Sequence, residues 1–155
     1  MINMRRLDRS MNKEDALNML KKEEFGILAT VDDNGQPYGV PLNYVVVDNY
    51  IYCHGNGTGG SKLNNIKNNN KVSFSVVGKT KVLPDKFGTL YESVIIFGEA
   101  DLVTDEKEKI MVFREFLMKY CSDFIEEGER YIKSVGHKAV VVKITIKSLS
   151  GKNRV

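Results

Sequence analysis

The sequence predicts a mainly β domain (α+β) in which six antiparallel strands close into a small barrel and helices pack outside. Three observations carry this. Strand-like runs are joined by turns of hairpin length, such as Asp48-Asn49 between Val47 and Tyr50, and short turns favour antiparallel neighbours. Val72 to Val77 reads Val-Ser-Phe-Ser-Val-Val, alternating through Val76, the period of a half-buried strand. The chain runs through several strands, two helices and a last strand with no internal repeat, a succession that suits one curled sheet with helices outside it.

Taken in order, residues 1–11 are polar and basic, with Arg5, Arg6 and Arg9, and read as a tail or as an arm onto a partner subunit. Asn12 caps a helix to about Lys22, with Asp15 at its third position. Ala16, Leu17 and Leu20 form its apolar face, and Met19 falls off it. Phe25 to Val31 reads as a buried strand. Residues 32–37, Asp-Asp-Asn-Gly-Gln-Pro, are a dense turn signal. Tyr38 to Val47 is the second strand, and Pro41 demotes that part to an edge or a bulge. Tyr50 to His54 is the third. A short helix follows the glycine loop with Leu63 and Ile66 inward. Val72 to Val77 is the fourth strand, and Gly78 to Leu90 a loop around Pro84. Tyr91 to Val103 is the fifth strand. Thr104 or Asp105 caps a helix to about Tyr120, with Asp105 and Glu108 spaced as in a capping box. Phe113, Phe116, Leu117 and Tyr120 make its stripe, read as core packing. A second helix spans Asp123 to Ser134, and Ala139 to Leu149 is the last strand.

The 155 residues suit one domain, 1–155, with a sizeable core. Hydrophobic residues make up 42% and charged residues 28%, as in ordinary globular chains. No apolar run approaches the ~20 residues that span a bilayer. The start, Met-Ile-Asn-Met-Arg-Arg, has no apolar signal region. A cytoplasmic location with no membrane partner is expected. Cys53 and Cys121 lack metal-ligand spacing, so both read as reduced thiols and no metal is expected. Three arginines without interleaved aromatics do not make a nucleic-acid site.

Chemistry concentrates in residues 51–63, Ile-Tyr-Cys-His-Gly-Asn-Gly-Thr-Gly-Gly-Ser-Lys-Leu. A strand ends at His54, four glycines follow within six residues, and Ser61 and Lys62 open a helix. Glycines let backbone N–H groups approach an oxyanion, and a helix start leaves N–H groups unpaired with positive partial charge. Between Asp48 and Asp85 there is no acid but five lysines, at 62, 67, 71, 79 and 81, so the stretch carries +5 in a chain of net +3. Loop, helix start and field together predict a phosphate site.

Two familiar phosphate motifs fail. Gly55-x-Gly57-x-x-Gly60 matches the dinucleotide fingerprint, but the first acid after it is Asp85, beside a proline. Gly55-x-x-x-x-Gly60 is followed by Ser61-Lys62, the reverse of a nucleotide-hydrolysing P-loop.

The residues resemble the pyridoxamine 5′-phosphate oxidase-related flavoproteins, within these most closely the nitroimidazole-resistance (Nim-type) group. The resemblance rests on residues 5–9 (Arg-Arg-Leu-Asp-Arg), 28–31 (Leu-Ala-Thr-Val), 34–38 (Asn-Gly-Gln-Pro-Tyr) and 40–44 (Val-Pro-Leu-Asn-Tyr). It continues through residues 51–55, Lys62-Leu63, residues 81–84 (Lys-Val-Leu-Pro), 91–95 (Tyr-Glu-Ser-Val-Ile) and 149–152 (Leu-Ser-Gly-Lys).

The resemblance implies a six-stranded split β-barrel, a homodimer, and FMN bound between the subunits, with FAD as the variant cofactor. Ser61 and Lys62, with Leu63 beside them, would hold the FMN phosphate. Pro41, Leu42 and Asn43 would lie along the flavin, with Thr30 nearby. His54 and Gly55 would border it, and Ser93 and Val94 would contribute near the dimer interface. His54 would be the catalytic residue, its imidazole being able to pass a proton near neutral pH. The implied activity is FMN-dependent reduction of a small molecule such as a nitroaromatic. The alternatives are a flavin-binding or sensing protein without catalysis, and the same barrel with pyridoxal phosphate, a deazaflavin or FAD.

Overall fold

A computed structural model of the protein describes residues 4–56 and 60–155. Gly57, Thr58 and Gly59 of the glycine loop lie outside the described residues. The elements are α1 (Lys13–Lys22), β1 (Phe25–Val31), β2 (Pro37–Asn43), β3 (Val45–Val47), β4 (Tyr50–Asn56), α2 (Ser61–Asn68), β5 (Lys71–Leu83), β6 (Gly88–Leu102), α3 (Glu106–Tyr120), α4 (Ile125–Val135) and β7 (Ala139–Arg154).

The strands form one antiparallel sheet in the order β2-β1-β5-β6-β7-β4-β3. β2 and β3 follow each other in the chain yet occupy opposite edges of the sheet. The chain crosses between those edges through one residue, Tyr44, so the sheet must be curled until its edges nearly meet. The result is a split β-barrel, joined along its seam by the chain and not by a ladder.

Tyr44 is fully buried, and its backbone has no strand to pair with, so its polar groups need other partners. Its N–H donates to the Tyr120 hydroxyl at 3.1 Å, and its carbonyl accepts from Lys119 Nζ at 3.0 Å. The Tyr120 proton lies within reach of two carbonyls, Tyr44 at 2.8 Å and Glu24 at 2.7 Å. The Tyr44 hydroxyl donates to the Leu20 carbonyl of α1. The C-terminal end of α3 therefore clamps the seam from outside, and α1 clamps it from within.

The core follows from the curl. Leu28, Ile51, Cys53, Phe74, Val76, Val94, Ile96 and Ile144 point inside, where Ala16, Met19 and Leu20 of α1 join them. A second cluster forms outside β4 and β7, where Tyr52 and Val141 meet Val112 and Phe116 of α3. β4 is thus covered on both faces. At Gly26 a Cβ would run into the Phe74 ring, so glycine allows that ring to sit against β1.

Several expectations hold. The Asn12 side chain accepts from the Asp15 N–H at 2.8 Å, Pro41 lies on an edge strand, and Asp48 turns a hairpin at φ 52°. Others need correction. The second strand is two strands, broken at Tyr44, so the sheet has seven rather than six. Met19 is buried, because α1 inserts deeply enough to cover more than a narrow face. β1 is buried on alternate residues only, with Phe25 and Ile27 outward and exposed. The strand before the glycine loop continues to Asn56, because β7 supplies a partner as far as Ala139. Gly78 to Leu90 is no loop: β5 and β6 stay paired to Leu83 and Gly88 as a two-stranded arm, with only Pro84–Lys86 as a turn at its tip. The final strand runs on to Arg154 because β6 pairs with it throughout. The second C-terminal helix starts at Ile125, and Phe124 before it and Tyr131 within it are exposed. The N-terminal arm docks on its own β7 through Met11 N–H to the Gly151 carbonyl (2.9 Å) and a Ser10–Lys152 bridge.

The clamp predicts a stability effect. Tyr120→Phe strips the Tyr44 N–H of its acceptor, and a buried unpaired group costs about 1–3 kcal/mol. Tyr131→Phe, on an exposed ring, stays within about 0.5 kcal/mol of wild type. Urea denaturation of the three proteins measures this, and equal midpoints would show that the seam does not depend on Tyr120.

Candidate functional site

β4 and the start of α2 bring together the residues singled out around the glycine loop. Gly55 faces Lys62, whose Nζ stands 3.0 Å from where a Gly55 Cβ would be. A side chain there would displace the ammonium, so glycine keeps open the place where the lysine reaches β4. Gly60 is the N-cap of α2 and provides no side-chain cap, and a Cβ on it would meet nothing within 4 Å. Its carbonyl takes the N–H groups of Leu63 (3.0 Å) and Asn64 (3.3 Å). Among the described residues, the first-turn N–H groups of Ser61 and Lys62 have no backbone partner, and the Ser61 hydroxyl beside them is exposed. An ammonium, helix-start N–H groups and a hydroxyl in an acid-free stretch are the donor set of a phosphate monoester.

Buried contacts fix the direction of α2. Asn65 Nδ2 donates to Thr30 Oγ1 of β1 at 2.9 Å, with both side chains buried. Leu63 and Ile66 sit in the core. Thr30 and Leu63 therefore hold the helix that carries Lys62, and their side chains do not face solvent.

His54 points from β4 toward α3. Its ring lies 4.6 Å from the Phe116 ring at 80° and 6.1 Å from the Phe113 ring at 69°, so α3 covers one side of the ring although the residue as a whole is exposed. Burial pushes its pKa below the ordinary 6.5, and the nearby Lys62 charge adds to this. The imidazole is thus mostly neutral at pH 7, able to accept a hydrogen bond at one nitrogen and donate one at the other.

On β2, Pro41 and Asn43 are exposed while Leu42 turns toward the core. Asn43 Nδ2 donates to the Glu24 carbonyl at 3.0 Å, beside Tyr120. Phe116 stacks on Tyr120 with centroids 5.8 Å apart. The aromatic face of α3 therefore runs from His54 to the end of β2. Ser93 and Val94 are elsewhere. Val94 is fully buried in the core. Ser93 pairs with Lys152 of β7, whereas His54 pairs with Val141, eleven residues back along that strand. At ~3.3 Å per residue this is about 36 Å along the strand, so Ser93 and His54 are not neighbours in the sheet's register.

Sequence reading missed two groups. Lys119 lies 4.0 Å from the centre of the Tyr44 ring, and burial pushes its pKa down to about 8, with Glu23 opposing. Tyr52 donates to Glu108 Oε1 at 2.7 Å, which also takes Lys143 Nζ at 2.6 Å. Burial first, and then that carboxylate, push Tyr52 up to about 12. Asp105 does cap α3, accepting the Glu108 N–H at 2.8 Å, but the Glu108 carboxylate turns to the sheet instead of completing the box. The Asp105–Glu108 spacing was the only local signal of either group. The partners are 35 to 76 residues apart in sequence.

A curled antiparallel sheet, split at one residue between its two edge strands, defines a split-barrel protein. The chain belongs to the pyridoxamine 5′-phosphate oxidase family, whose sequence profile matches residues 12–153. No curated protein matches the sequence. Among solved structures, a conserved hypothetical protein of Mycobacterium tuberculosis superposes with TM-score 0.82 at 20% identity, over 97% of this chain and 90% of that one. A candidate 5-nitroimidazole antibiotic resistance protein of Bacteroides thetaiotaomicron gives 0.75 at 20%, over 92% and 85%. An FAD-binding protein of Mesorhizobium loti gives 0.69 at 22%, over 95% and 98%. At these identities the likeness is one of fold. No helix among the described residues is long and apolar enough to cross a membrane.

Lys119 sets a pH dependence. Its folded pKa is about 8 against an ordinary 10.5. Between those values the unfolded chain holds a proton that the folded chain has lost, so this group's contribution to stability rises with pH. Below about 8 both states are protonated and the full penalty of burying the charge remains. Wild type should therefore gain stability relative to Lys119→Met as pH rises from 8 to 10.5. A flat difference in unfolding free energy across that window would show an ordinary solvated lysine.

Proposed function

We propose that the protein is an FMN-binding flavoprotein and an oxidoreductase that reduces a small molecule such as a nitroaromatic. The observation that carries this reading is Lys62 Nζ held against Gly55 at the start of α2, whose N-cap, Gly60, has no side chain to cap it. FMN ends in the phosphate monoester that such a cradle suits. In support, one fold neighbour is described as FAD-binding and another as a candidate nitroimidazole resistance protein. FAD remains the variant cofactor.

In this reading Ser61 and Lys62 bind the phosphate. Pro41 and Asn43 lie along the ring system with exposed surface, while Leu42 supports that strand from the core. Thr30 and Leu63 orient α2 from behind. His54 and Gly55 border the reacting edge. When bound, the flavin supplies the electrons. His54, mostly neutral at pH 7, hydrogen-bonds the substrate and passes it a proton, one nitrogen donating as the other, on this exposed residue, accepts a proton from solvent. Ser93, with Val94 acting through its backbone, joins the site from a second copy, because Ser93 and His54 of one copy pair with opposite ends of β7. The exposed apolar side chains Ile27, Val77, Ile95 and Phe97 on the outer sheet face suit that pairing, and two-fold dimers are the commonest assembly.

Two measurements test this. A lysine–phosphate contact is a charge-assisted bond of about 1.5–3 kcal/mol, so Lys62→Ala should weaken FMN binding roughly ten- to a hundred-fold and leave riboflavin binding nearly unchanged. Equal losses for both ligands would move the phosphate elsewhere. Light scattering of the FMN-loaded protein should give about twice the 17.5 kDa chain, and a fully loaded monomer would refute the shared site.

A further inference from the structure

The aromatic face of α3 reads from sequence as plain packing, yet it ends on the one imidazole at the cradle. Phe116 is buried, at 8% exposure, and held on two sides. One side stacks on Tyr120, and the Tyr120 hydroxyl is fixed by the backbone of Tyr44 and Glu24. The other side meets His54 at 4.6 Å and 80°. This angle and distance fall within the favoured edge-to-face arrangement of aromatic pairs. An unbroken line of contacts therefore runs from the barrel seam through Tyr120 and Phe116 to the imidazole.

We propose that Phe116 is the positioning residue for His54: anchored to the seam by Tyr120, it fixes the imidazole's orientation and, with Phe113, shields one side of the ring from water. The inference rests on His54 as the reacting group of the proposed function. A histidine at a strand's exposed rim would otherwise sample several rotamers, and a proton donor must sit within hydrogen-bond reach of its acceptor in a fixed geometry. Shielding also keeps the ring mostly uncharged at pH 7, the direction in which its pKa is displaced. The groups facing His54 are consistent with this. α2 presents Lys62, which disfavours the imidazolium. α3 presents the neutral Phe113 and Phe116, and its Glu108 is engaged by Tyr52 and Lys143. β7 presents Val141 opposite in register.

The test uses the full chain without added cofactor. In wild type, NMR should show contacts between the His54 and Phe116 ring protons and a His54 titration below 6.5. Their absence would overturn the proposal without any variant. In Phe116→Leu the His54 titration should move up, toward the ordinary 6.5, as the loss of the shielding ring favours the charged form. Phe116→Tyr, which keeps the ring, should restore the wild-type titration. A folded Phe116→Leu protein with an unchanged titration would also overturn the proposal. In the loaded protein, Phe116→Leu should lower kcat several-fold with FMN affinity retained. If His54→Ala leaves turnover intact while the NMR results stand, the catalytic reading fails and the positioning contact survives.

Discussion

Everything in this fold depends on how one buried residue is kept hydrogen-bonded. Tyr44 stands between two strands on opposite edges of a seven-stranded sheet, so neither edge can satisfy its backbone. An unpaired buried N–H or carbonyl is expensive, and the cost here is met by side chains from Lys119 and Tyr120. α3 is therefore part of the barrel's closure and not a decoration on it. It must also lie where its last turn reaches the seam, and its upstream residues are thereby laid across β4. Tyr52 and His54, which alternate on the outer face of that strand, meet Glu108 and Phe116 as a consequence.

The cradle is built on the same economy of elements. β4 brings Gly55 to Lys62, and α2 is tied to β1 through the buried Asn65–Thr30 bond. β1 pairs with β2 from Phe25–Asn43 to Val31–Pro37. The strand carrying Pro41 and Asn43 and the helix carrying Lys62 thus share one support. A cofactor lying across these pieces would rest on a single rigid frame, which is what orientation of a reacting group requires.

Much of this was legible in the sequence because it is local. Alternation over 72–76, the Asp48-Asn49 turn, the Asn12 and Asp105 caps and the lysine after the glycines each act over a few residues. The break at Tyr44 was not legible. Residues 38–47 are uniformly strand-like, and what splits them is curvature of the whole sheet. Met19 was lost for a similar reason, since how deeply a helix inserts depends on the cavity it meets and not on its own period. The arm at 78–90 was misread because Gly78 and Pro84 look like loop signals, whereas pairing between β5 and β6 overrides them. Lys62 stood out in the sequence by residue type and spacing, and His54 through the family resemblance. The roles of Phe116 and Tyr120 were not legible, because an aromatic stripe on a helix looks the same whether it fills a core or packs on an imidazole, and nothing local marks Lys119.

The registers also fix an order of events during synthesis. β4 takes its second neighbour from β7, with Tyr50 opposite Thr145 and Asn56 opposite Ala139, and β6 takes the same strand on its own free edge. Until residues 139–154 have left the ribosome, β4 and β6 both present unpaired backbone, and the two halves of the sheet have no common strand. Such open edges template pairing with other chains. The half-built chain is thus the state most exposed to aggregation, and the last sixteen-residue strand closes both edges in one step.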